Sequence, residues 1–114
     1  MPQARVIRMS GGPHSRTRKT RQQQAGAEAL AIAALAFLTA EPARFARFLD
    51  LTGIAVNSIR AAARAPGFLA GVLDHLAAEE PMLLEFAAGQ EIDPTDVLAA
   101  RDVLAHAPRE GEPP

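Results

Sequence analysis

The chain has 114 residues, of which 48% are hydrophobic and 22% charged, a composition suited to one globular domain. It has no cysteine, which excludes disulfides, thiolate catalysis and cysteine-based zinc sites. The formal net charge of −1 hides a division: six cations and no acid precede Ala25, whereas the remainder sets six arginines against thirteen acids. A basic arm on an acidic body can fold back on its own domain or reach toward nucleic acid or an anionic membrane.

Valine and isoleucine are few and strand-like alternation is absent, so the expected class is all-α. The expected architecture is a compact bundle of five to six short helices over residues 25–106. Residues 1–24 hold Gly11-Gly12-Pro13, scattered arginines and a glutamine run without apolar period, and read as a disordered basic tail. A second disordered tail is expected over 107–114.

Residues 29–38 form an unbroken run of ten apolar residues. A membrane span needs about 20, so no transmembrane segment is expected. The long basic lead and Glu28 argue against a secretory signal. A helix apolar on nearly every face is expected to be buried by its neighbours. Glu41-Pro42 ends it, and Pro42 opens a second helix with Phe45, Phe48 and Leu49 inward and Arg44 and Arg47 pointing away. Gly53 is the expected stop, with Ile54 packing back on the helix just ended. A third helix is expected over 57–65, with Ile59, Ala62 and Ala63 inward and Arg60 and Arg64 outside.

Pro66-Gly67 breaks it. The fourth helix, over 68–79, carries Leu69, Val72, Leu73 and Leu76 at i, i+3, i+4 and i+7. Glu80-Pro81 repeats the earlier corner. A fifth helix over 82–88 places Leu83, Phe86 and Ala87 inside, with Gly89 as its stop. Asp93-Pro94-Thr95-Asp96 signals the start of a sixth, with Val97, Ala100 and Leu104 as its stripe. The halves echo each other. Glu41-Pro42 stands 39 residues before Glu80-Pro81, Leu30 and Phe37 align with Leu69 and Leu76, and Ile54 and Ile59 echo Ile92 and Val97. Two three-helix units packed face to face are therefore expected.

From about residue 27 to 104 the chain resembles the bacterial family called domain of unknown function 3572. The resemblance is carried by A29-L-A-I-A-A-L-A-F-L-T-A-E-P42, R47-F-L-D-L-T-G-I54, I59-R-A-A-A63, P66-G-F-L-A-G-V-L-D-H-L76 and L83-L-E-F-A87. It implies a small helical protein of alphaproteobacterial type and no activity. Val56 stands where the family often has proline, and His75 where phenylalanine is common. The basic arm lies outside the match, with Met9 as an alternative start.

Few residues invite chemistry. His75 and Glu79, one turn apart, can fill two positions of a metal shell, but no third ligand is apparent. Asp74 and His75 lack the further partner that a catalytic pair needs. No catalytic, cofactor or metal residue is expected. Residues 42–65 outline a helix-turn-helix, with Asn57, Arg60 and Arg64 projecting. Nucleic-acid contacts, if made, fall to Arg16, Arg18, Lys19 and Arg21 of the arm and to Arg60 and Arg64. The arm has no interleaved aromatic for base stacking, so its binding would be electrostatic. Leu51, Val56 and Leu98 fit no inner stripe and are candidates for a partner surface. The leading expectation is a cytoplasmic, non-enzymatic interaction module binding a protein partner or itself. Nucleic-acid binding is the alternative.

Overall fold

The computed structural model describes residues 2–107, with side chains from Thr20 onward. Six α-helices follow one another with no strand among the described residues: α1 (Pro2–Thr39), α2 (Pro42–Thr52), α3 (Ile59–Ala62), α4 (Pro66–Ala77), α5 (Glu80–Gln90) and α6 (Pro94–Ala105). A 3-10 turn (Val56–Ser58) leads into α3. The fold is all-α, as the composition implies. The backbone of α1 runs through the segment read as a disordered arm, and Ala27 is the first buried residue among the described side chains. That reading of residues 1–24 lies mostly outside the described side chains, and 108–114 lie outside the described residues.

Proline sets most boundaries. Pro42, Pro66 and Pro94 each stand first in their helices, where the missing N–H is no loss. The residue before each is extended: Glu41 at ψ 118°, Ala65 at 126° and Asp93 at 140°. Among the described helix starts only α6 has a full capping box. The Asp93 carboxylate accepts from the Thr95 amide at 2.9 Å, and the Asp93 amide donates to Asp96 at 3.1 Å. The Thr95 amide and hydroxyl hold the Asp93 carboxyl below its usual range.

Three expected boundaries shift. α4 starts at Pro66 rather than 68, because Gly67 is tolerated inside the first turn. α5 starts at Glu80 rather than 82 and runs past Gly89, ending where Glu91 turns left-handed at φ 58°. The third helix is one 3-10 turn and one short α segment instead of a continuous helix over 57–65.

The repeat is real in the backbone, at a spacing of 38 residues. α2 and α5 each span 11 residues. Their N-caps are Glu41 (φ −124°, ψ 118°) and Glu79 (φ −123°, ψ 103°), and each ends on a left-handed residue, Gly53 and Glu91. The next segments start from Ala55 (φ −74°, ψ 143°) and Asp93 (φ −76°, ψ 140°). The same spacing superposes the core: Ala31, Ala34, Leu35, Leu38 and Phe48 match Leu69, Val72, Leu73, Leu76 and Phe86, and all ten are buried. Leu30 and Phe37, aligned on Leu69 and Leu76 by the 39-residue spacing, are only half-buried. The Glu-Pro dipeptides mislead by one residue because the second unit caps with Glu79, not Glu80.

Contacts between the units obey an exchange of roles. Phe37 meets Phe86 edge-on at 5.4 Å, and the exchanged pair, His75 and Phe48, meets edge-on at 5.2 Å. This reciprocal pair fits units packed face to face, although the third segments do not pack alike. At the centre α1 lies on α4 and α6, α4 lies on α6, and α2 and α5 flank α1 and α4. The run at 29–38 is not buried all round: Ala31, Ala34, Leu35 and Leu38 face the core, while Ile32 is 45% exposed.

The two left-handed caps differ in chemistry. Glycine reaches φ 72° at no steric cost, whereas glutamate at φ 58° is strained, usually by about 1 kcal/mol or more. No heavy atom lies within 4 Å of a Cβ built on Gly53. Gly53→Ala is thus expected to destabilise by about 1 kcal/mol through backbone strain, and Glu91→Gly to stabilise by a similar amount. Urea unfolding of the two variants measures both.

Candidate interaction surface

The polar residues of α4 diverge. Asp74 is exposed and meets Arg101 of α6 at 3.3 Å, while Arg101 also pairs with Asp102 at 3.3 Å. One residue on, His75 turns about 100° round the helix and lays its ring against Phe48 of α2. Glu79 pairs with Arg47 of α2 rather than with His75. Among the described residues no three His, Asp or Glu side chains gather as a metal site would need. His75 and Glu79 thus sit in an inter-unit joint.

Burial pushes the His75 imidazole below its ordinary 6.5, with Glu79 opposing and Arg47 adding to the shift. The fold prefers the neutral ring. Stability is then complete above 6.5 and is lost as pH falls below it, because the unfolded chain takes up the proton first. His75 occupies the position of Phe37 in the other unit. His75→Phe is expected to remove this loss below pH 6.5 and to raise stability at neutral pH by about 0.5–1.5 kcal/mol, the range of an aromatic pair. Thermal unfolding at a series of pH values checks both.

Arg44 corrects an expectation. It does not point away: its guanidinium lies 4.3 Å from the centre of the Phe37 ring and reaches Glu41 at 3.2 Å and Glu85 at 3.4 Å. Arg47 does point outward, with its side chain exposed, and holds Glu79. The groove between α2 and the α4–α5 corner is lined by Arg44, Arg47, Glu79, Glu80, Met82 and Glu85, so most of its charges face an opposite partner. No sequence signal marks Arg44, since Glu85 lies 41 residues away.

The third segment of the first unit is different. Neither the 3-10 turn nor α3 has a buried residue, and only Ile59 and Ala63 reach the core from it. Asn57, Arg60, Ala61 and Arg64, at i, i+3, i+4 and i+7, line one shallow concavity. Arg60 and Arg64 form no ion pair among the described residues, whereas Arg44, Arg47 and Arg101 each do. Leu51 and Val56, on either side of the Gly53 turn, are 65% and 63% exposed. Leu98 lies on α6 and is half-buried. Arg21 is exposed on α1, and Arg16, Arg18 and Lys19 lie outside the described side chains. Arg60 and Arg64 therefore come together in one concavity.

These features define a small all-helical domain of two similar units with one third segment left at the surface. The chain belongs to a family of proteins of unknown function, DUF3572, whose model matches residues 24–107. That span takes in all of the packed body and leaves the basic arm outside. No curated protein and no solved structure matches the chain.

Proposed function

We propose that the chain is a non-enzymatic, cytosolic interaction module that binds through the third segment of its first unit. The observation that carries this reading is the exposure of Leu51 and Val56 beside two guanidinia without carboxylate partners among the described residues. Exposed apolar side chains beside unpaired cations form a surface that a protein partner can dehydrate and neutralise at once. The described core is apolar throughout, so these residues are not needed to complete it.

The test places a photo-cross-linking residue at Val56 in the full chain and irradiates cells expressing it. A discrete adduct that is absent with the same residue at Glu80 is expected. A Val56 lane identical to the Glu80 lane contradicts the reading. Nucleic-acid binding is the second reading, favoured by the concavity of Asn57, Arg60 and Arg64 and by the arm residues Arg16, Arg18, Lys19 and Arg21. Its mark is salt-sensitive retention of duplex DNA or RNA that weakens in an Arg60→Ala/Arg64→Ala variant.

A further inference from the structure

The 38-residue repeat gives two corresponding segments opposite net charge. In the first unit residues 51–64 contain Arg60 and Arg64 and no acid. In the second, residues 89–102 contain Glu91, Asp93, Asp96 and Asp102 against Arg101 alone. The 38-residue spacing maps Asn57, Arg60, Ala61 and Arg64 onto Thr95, Leu98, Ala99 and Asp102. All eight are exposed except Leu98, which is half-buried. No ion pair joins the two surfaces within the chain among the described residues.

We propose that a second copy of this chain docks its acidic segment 91–102, the start of α6 and the turn before it, on the basic 3-10 and α3 face, in a head-to-tail contact. This rests on the interaction-module reading and names the partner. Charge complementarity chooses the occupant. The basic face offers two unpaired guanidinia, and the corresponding segment of the second unit offers the exposed carboxylates of Glu91, Asp93 and Asp96, with Asp102 already paired to Arg101. Val56, one turn before Arg60, and Leu51 of the same segment are exposed and give the contact apolar area. A contact between unlike faces leaves one of each free, so association grows with concentration unless a ring closes. Its charged character makes it salt-sensitive, since the screening length falls from about 10 Å at 0.1 M salt to about 3 Å at 1 M.

Sedimentation velocity of the full chain, from low micromolar to near-millimolar concentration, is the experiment. At low salt the average mass is expected to rise with concentration, and high salt is expected to reverse the rise. Arg60→Glu/Arg64→Glu and Glu91→Lys/Asp102→Lys are each expected to stay monomeric, with far-UV circular dichroism like that of the parent. Mixed together, the two variants are expected to associate again, because each then presents two like faces to the opposite two. A parent chain that stays monomeric, an assembly that persists in either double variant, or a mixture that fails to associate overturns the proposal. So does a monomeric parent that retains labelled duplex DNA through Arg60 and Arg64. At Val56, a cross-linked adduct of some mass other than a multiple of the chain keeps the interaction reading and rejects self-docking.

Discussion

Replacing Phe48 with alanine is expected to cost about 3–5 kcal/mol, the usual loss for a fully buried aromatic. Phe48 is wholly inaccessible to solvent. Its ring stands edge-on to Phe68 at 6.1 Å and to His75 at 5.2 Å, and stacks on Phe45 at 6.4 Å. It thereby ties α2 to α4 across the boundary between the units. Small domains are stable by about 5–15 kcal/mol, so this one truncation removes a large share. Urea unfolding followed by far-UV circular dichroism is expected to show a lower midpoint or a chain already partly unfolded in buffer. A loss under about 1 kcal/mol would mean that α2 is not held to α4 by this ring.

Leu38→Ala and Leu76→Ala are expected to cost nearly the same, about 2–5 kcal/mol each. Both side chains are fully buried, and they occupy one position in the two units. Leu51→Ala, at 65% exposure, is the control and is expected to fall within about 0.5 kcal/mol of the parent. Under the 39-residue alignment Leu76 would correspond to half-buried Phe37, and no equality with Leu38 would be expected. Matched losses at Leu38 and Leu76 thus test the 38-residue frame energetically.

Much of this fold is legible in the sequence because its signals are local. The spacing of Leu69, Val72, Leu73 and Leu76 suffices to place α4 and its buried face, and all four are buried. The Asp93-Pro94-Thr95-Asp96 start works the same way, since a capping box is complete within four residues. Gly53 stops α2 as a left-handed glycine should. α5 shows the limit. Gly89 is the better stop by residue type, yet the helix continues until Ile92 can donate to the Ala87 carbonyl at 3.0 Å, and Glu91 bears the left-handed turn. Its partner Ile92 packs on the core, while Ile54, the expected counterpart, does not join the core cluster.

What is illegible is long-range. The places of Arg44 and Arg47 depend on Phe37, Glu79 and Glu85, brought near only by the packed units. The third helix fails as a continuous element for a related reason. Its counterpart α6 is held along its length by α1 and α4, whereas residues 56–62 pack mainly on themselves. Tertiary support, more than local propensity, decides helix length at such sites. The candidate surface is legible as residue types, since Leu51, Val56, Arg60 and Arg64 fit no inner stripe. Its unpaired charge is not, because that depends on which carboxylates the other helices spend elsewhere.

The central claim is that two equivalent units have third segments with different fates, one packed and one left free to bind. Amide hydrogen exchange of the full chain at low and high protein concentration tests it most directly. In dilute solution residues 56–64 are expected to exchange through local opening, far faster than α4 and α6, which should open only with the whole domain. At high concentration residues 56–64 are expected to gain protection, with the slow exchange of α4 unchanged. If residues 56–64 are as protected as α6 in dilute solution, or gain nothing on concentration, the claim is contradicted.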